Sequence, residues 1–284
     1  MAQSVIAAGY RAKIGYASES TYGVSPTSAP YSWYGPVNEA RIEVNRNPII
    51  IYRMDGQTAY PAYILPGQRE VNTTVTFYPQ DYLVLNDMIN NVVSASHSVA
   101  IQFTDISQAY TSYGSKANTV RFTGNINAPL EVEIAYYSQN VTTSLPTGVT
   151  FATDPGNNPW YFVSENVQLP SPTQDVKVVA WDATVTRNLS RVFQFGQDYI
   201  RVNEPLVATA TGNLTVVVQD YTELNYVLNW TSNTLNIVLG QSPNGTTRQI
   251  TFTGVYLTQA PVPVRVADLV KVQFPFNATG VSIS

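Results

Sequence analysis

His97 is the only histidine of the 284 residues, so a Ser-His-Asp relay has no other imidazole to use as its base. It stands in the Ser-rich stretch Ser94-Ala95-Ser96-His97-Ser98, just before a strand-like run, a setting that predicts a solvated side chain. Glu131 and Glu133 are two apart in an alternating segment and so share one face of a strand, the kind of carboxylate pair a glycosidase uses. The solvated face of a sheet produces the same spacing. The chain has no Gly-x-Ser-x-Gly elbow, no His-Glu-x-x-His metal motif, and neither Gly-Lys-Ser nor Gly-Lys-Thr for a phosphate loop. With no Cys there is no thiolate ligand or nucleophile either. The sequence therefore predicts no catalytic residue, no metal site and no cofactor: a protein that is not an enzyme.

Composition points the same way. Only 12% of residues are charged, about half the usual share, while 44% are hydrophobic and 19 are Tyr. A surface this poor in charge suits coverage by further copies of the chain. The net charge of −4 argues against general nucleic-acid binding, which needs clustered Lys and Arg. Met1 to Gly9 lacks the basic and apolar regions of a secretory signal, and no apolar run reaches membrane-spanning length. The expectation is a soluble assembly subunit made in a cytoplasm, without membrane insertion. The Asn-x-Ser/Thr matches, such as Asn72 and Asn140, follow from an Asn- and Thr-rich composition.

The element around which the strands are arranged is Gln80-Asp81-Tyr82 through Leu85, Met88, Ile89 and Asn90. Gln219-Asp220-Tyr221 through Leu224, Val227, Leu228 and Asn229 repeats it at an offset of 139 (220 − 81). Apolar residues at i, i+3 and i+4 after an Asp that can cap free amides predict one short helix in each copy. Strand-like segments flank both. Arg46-Asn47 matches Arg187-Asn188, Gly56-Gln57 matches Gly196-Gln197, and Phe122-Thr123-Gly124 matches Phe252-Thr253-Gly254, in the same order. Such self-similarity predicts two homologous domains.

Alternation with period two predicts half-buried antiparallel strands: Val71, Val75 and Phe77; Val99, Ile101 and Phe103; Leu130, Val132, Ile134 and Tyr136; Leu235, Ile237 and Leu239; Val262, Val264 and Val266; Val270, Val272, Phe274 and Phe276. Pro263 and Pro275 predict an edge position for the last two. The expected layout is an N-terminal arm at 1–40, a first β domain at 41–140, a Pro/Gly/Thr-rich connector at 141–175 with one strand near Tyr161 to Val163, and a second β domain at 176–284. The predicted fold class is mainly β, two tandem β-sandwich or barrel domains, each flanked by one short α-helix.

Each repeat also carries a long excursion, residues 47–69 and 188–211, rich in large side chains. Aromatic residues and Arg in loops of this length predict contacts between subunits; the alternative is a hairpin folded back over its own domain. The candidate contact residues are Tyr52, Arg53, Tyr60, Tyr63, Phe193, Phe195, Tyr199 and Arg201.

The stretch Lys13-Ile14-Gly15-Tyr16-Ala17-Ser18-Glu19-Ser20-Thr21-Tyr22-Gly23-Val24-Ser25-Pro26 resembles the opening of tail tube proteins of tailed bacteriophages and archaeal tailed viruses. The resemblance continues at Val44-Asn45-Arg46-Asn47-Pro48 and returns at Phe252 to Leu257 with Val264-Arg265-Val266-Ala267-Asp268. It implies a structural subunit of a virion tail, assembled into stacked rings with sixfold symmetry or pseudosymmetry around a channel that conducts DNA without sequence-specific binding, alongside other tail proteins. A duplicated domain then predicts trimeric, pseudo-hexameric rings. The alternatives are another virion component or the inner tube of an injection machine and, from a different class, a polysaccharide-binding module or hydrolase built on Glu131 and Glu133.

Overall fold

The computed structural model describes residues 12–27, 30–52, 61, 63–90, 95–126, 128–169, 177–194, 197–217, 225, 227–241, 246–259 and 271–284, and these are mainly β. The first half comprises β1 (Ala12–Ser18), β2 (Val37–Arg46), β3 (Ile49–Ile51), β4 (Tyr63–Leu65), β5 (Arg69–Phe77), α1 (Leu83–Ile89), β6 (His97–Phe103), β7 (Gln108–Asn125), β8 (Glu131–Ser138) and β9 (Asn140–Thr142). The second comprises β10 (Tyr161–Gln168), β11 (Val178–Thr186), β12 (Ser190–Phe193), β13 (Ile200–Glu204), β14 (Thr209–Val217), helical residues at 225 and 227–228, β15 (Asn233–Gln241), β16 (Thr246–Leu257), β17 (Lys271–Ala278) and β18 (Gly280–Ile283).

A long antiparallel sheet runs through both halves in the order β16-β17-β14-β11-β7-β8-β5-β2. β7 belongs to two layers: its first part pairs with β6 and β9, and its second with β8 and β11. The alternating residues Val71, Val75, Phe77, Val132, Ile134, Tyr136, Leu214, Val216, Val272, Phe274 and Phe276 bury one face of this sheet. Each such side chain contributes about 1.5–3 kcal/mol of burial. All of them but Val71 share one core cluster with Val84, Leu85, Met88 and Ile89 of α1, so the predicted stripe of the first helix is core. Asp81 starts the helix by accepting the Leu83 N–H at 3.0 Å.

Some pairings in the two halves match in register. Val71 faces Ser138 as Ala210 faces Ala278, and Ile101 faces Tyr110 as Ile237 faces Ile250. Even the irregularities recur, between His97 and Val99 on β6 and between Asn233 and Leu235 on β15.

Several expectations are corrected. The matching Phe-Thr-Gly triplets occupy different places, because their glycines meet different demands. Gly124 lies under Trp181, where a Cβ would sit 2.1 Å from the indole Nε1. Gly254 turns the chain at φ 57, and its counterpart is Gly114, at φ 61 and an offset of 140 (254 − 114). β6 is covered on both faces rather than half-buried: Ala100 packs with Ala17 and Tyr31. β17 is not an edge strand but lies between β14 and β16. Among the described residues its ladder with β16 is at Asn277 and Phe276, and the Pro275 carbonyl there accepts the Thr258 N–H at 2.9 Å, so the proline removes no donor on that side. In the second helix Val227 packs partly on the core while Leu228 is 70% exposed. Leu224, Val262, Val264, Val266 and Val270 lie outside the described residues, as do Gly56, Gln57 and Gly196. β10 is longer than the strand expected near Tyr161, pairs with β15, and brings Trp160, Phe162, Val167 and Leu169 into the core.

Candidate assembly surfaces

Chemistry-bearing side chains fall at structural positions. His97 is 1% exposed instead of solvated, because β1 and β7 flank its strand. Its ring meets Tyr16 and Tyr136 edge-on, with Nε2 3.8 Å from the Asp87 carboxylate. Glu131 and Glu133 share the half-exposed face of β8, and Tyr78 donates to Glu131 at 3.4 Å. Among the described residues no cluster of His, Asp or Glu could hold a metal ion, and no helix is long and apolar enough to cross a membrane.

Glu19, in the turn after β1, gathers three donors: the Gly23 N–H at 2.9 Å, the Gly114 N–H at 2.8 Å and the Ser98 hydroxyl at 2.7 Å. Gly23 stands at φ 76, so the turn needs glycine as well as the carboxylate. The Glu-Ser-Thr-Tyr-Gly signature thereby ties the N-terminal segment to the bend of β7.

The two excursions form hairpins with different surroundings. β12–β13 lies against the first half. Arg191 pairs with Glu70 and Asn72, with its guanidinium 3.7 Å above the Tyr137 ring. Asn203 donates to the Tyr137 carbonyl at 2.9 Å and to the Tyr22 hydroxyl at 3.0 Å, and Asp198 accepts from Arg46 at 2.9 Å. β3–β4 presents side chains on both faces to solvent: Ile49, Ile50, Ile51, Tyr63, Ile64 and Leu65 are all exposed, followed by Tyr52 at 66%.

Of the candidate contact residues, Tyr52 and Tyr63 are thus together on the open hairpin. Phe193 and Tyr199 are half-buried on the docked one, and Arg201 is exposed with its carbonyl accepting from Gln139 at 3.2 Å. Arg53, Tyr60 and Phe195 lie outside the described residues. Sequence reasoning missed Asn203 and Asp198 because loop Asn and Asp read as solvated turn residues; only their partners across the chain give them away.

The seam between halves is a strand ladder. Ala180 to Thr186 of β11 pair antiparallel with Asn125 to Thr119 of β7. Trp181 lies over Gly124 and meets Phe122 and Phe162, each with centroids 6.2 Å apart. Arg187 follows β11 into the first half, where it is 3% exposed, and burial pushes its guanidinium down to about 10, a shift opposed by Tyr136.

The described residues form an antiparallel β architecture with one apolar hairpin, β3–β4, open to solvent. The chain belongs to the phage tail tube protein family, which matches residues 9–278. The family is structural rather than enzymatic, and membership makes the chain an oligomer-forming component of a virion tail that works with other tail proteins. Comparison with curated proteins gives no match.

Proposed function

We propose that the chain is a tandem duplication of one tube domain, a β-sandwich or barrel flanked by a helix, and that three copies close into a pseudo-hexameric ring. Rings stack into the tail tube, whose channel conducts DNA during ejection. The observation that carries this reading is the seam. β11 of the second half has neighbours on both sides, β14 and β7, whereas its counterpart β2 pairs only with β5 among the described residues. The pairs Val44–Val71 and Val185–Ala210 support that correspondence. An unpaired strand edge is a template for another chain. A head-to-tail contact that copies the internal seam generates a closed ring when the rotation returns on itself. Six domain positions then need three chains.

The segment 141–175 would tether adjacent domains and raise their effective concentration. The open hairpin β3–β4, carrying Tyr52 and Tyr63, supplies apolar area for contact between copies, together with the Arg53 and Tyr60 positions of the same excursion. A net charge of −4 suits a channel that DNA crosses without being held, since clustered cations would bind phosphate. Synthesis in the host cytoplasm precedes assembly into the virion. Cryo-microscopy of tubes, or native mass spectrometry of isolated rings, tests the stoichiometry: three chains per ring are expected, and six would place one half outside the channel wall and overturn the proposal.

A further inference from the structure

α1 is part of the first half but docks on the second. Asn90 at its end donates its amide to the Ile283 carbonyl at 2.8 Å and accepts the Ile283 N–H at 3.3 Å, clamping the backbone of β18. Ile89 beside it is 2% exposed, in the same core cluster as Val185, Ile237 and Ile250 of the second half.

The counterparts of Ile89 and Asn90, at the offset of 139 between the helices (228 − 89), are Leu228 and Asn229. There the corresponding side chains have no seat among the described residues: Leu228 is 70% exposed, Asn229 is exposed, and the neighbouring Trp230 is 62% exposed, stacked on Tyr256 at 5.1 Å. The counterpart of the seat lies open as well. Val141 pairs with Ser112 as Val281 pairs with Phe252, so the residue answering to Ile283 is Thr143, which is exposed. Thr143 borders a groove of about 400 Å³ lined by Ala40, Ile42, Val44, Ile101, Phe103 and Val141. Their counterparts in the second half are core, save Val281, the counterpart of Val141, which is partly buried against it. Val44 is 46% exposed and its counterpart Val185 is 5% exposed; Tyr110, also at the groove, is 36% exposed and its counterpart Ile250 is 0%. Among the described residues, the second half therefore carries a plug without a seat and the first half a seat without a plug, beside the joined pair of α1 and β18.

We propose that Leu228, Asn229 and Trp230 of one copy enter the groove between β2 and β9 of the next, with Asn229 clamping the Thr143 backbone as Asn90 clamps Ile283. The occupant is a second copy of this chain, because only the repeated element has the matching side chains at the matching spacing. The contact is heterologous, so each copy uses both ends. This rests on the head-to-tail ring proposed above and names a second surface of it, separate from the strand edge.

The absence of native cysteine makes crosslinking specific. Thr143→Cys chains mixed with Asn229→Cys chains and treated with a short bismaleimide should give a covalent dimer that neither variant gives alone. The Thr143→Cys/Asn229→Cys double variant should give a ladder that closes at three chains. Leu228→Asp and Val44→Asp, both at exposed positions, should each raise the concentration for half-assembly more than tenfold, and their mixture should stop at dimers, which hold one intact plug and one intact groove. Rings without crosslinks in the mixture, or a crosslink from Asn229→Cys alone, would overturn the plug and leave the ring standing. Wild-type chains that stay single at every concentration would overturn both.

Discussion

Ile89→Ala and Leu228→Ala each remove three carbons at matching positions of the two halves and should cost the isolated chain very different amounts. Ile89 is 2% exposed, so truncation removes three carbons from the core, about 2.4 kcal/mol of transfer free energy at roughly 0.8 kcal/mol per carbon. A residual cavity of about 50 Å³ would add roughly 1 kcal/mol at about 24 cal/mol per Å³, placing the loss near 3–4 kcal/mol. Leu228 is 70% exposed, and its truncation should cost less than about 0.5 kcal/mol. The assay is urea unfolding of unassembled protein at low concentration, followed by tryptophan fluorescence, since Trp181 sits at the seam in the core cluster that α1 joins. Equal costs for the two variants, or a loss below about 1 kcal/mol for Ile89→Ala, would refute the claim that one helix is core and the other is held in reserve.

Glu19→Ala removes the acceptor of two backbone amides and a hydroxyl and should destabilise the chain by about 2–4 kcal/mol, read by the same unfolding curve; a change under about 0.5 kcal/mol would show the turn is held by other contacts. Burial raises the phenols of Tyr16, Tyr34 and Tyr136 well above their ordinary range, so they stay protonated in the native state while the unfolded chain ionises near pH 10. Their stability contribution is full below pH 10 and falls by about 1.4 kcal/mol per phenol per pH unit above it. Arg187, pushed down to about 10, gains stability over the same window with a single proton, so the three phenols prevail. Tyrosine absorbance titration should show these rings ionising only with global unfolding, against a smooth titration if they are accessible. Tyr52→Ala with Tyr63→Ala should block tube growth and leave the thermal unfolding midpoint unchanged, whereas Arg191→Ala should lower that midpoint; normal tubes from the first pair would remove the open hairpin from the assembly surface.

Residue order by itself determined the elements whose logic is local. Alternation of Val71, Val75 and Phe77 or of Val132, Ile134 and Tyr136 can satisfy water and core at once only as a strand, and the Leu85, Met88 and Ile89 stripe only as a helix. The scarcity of charge and the Glu-Ser-Thr-Tyr-Gly turn were likewise legible, and they pointed to the family that the chain joins. What the tertiary structure decided is which copies of a motif are satisfied. Ile89 and Leu228 read alike, yet one is buried in the core cluster and the other is 70% exposed; Phe122-Thr123-Gly124 and Phe252-Thr253-Gly254 read alike, yet one glycine admits Trp181 and the other turns the backbone. His97 read as solvated because its coverage comes from strands distant in sequence. Local pattern fixes which face of an element is apolar, but the partner that buries that face lies many residues away, where pairing register and topology, not periodicity, determine the contact.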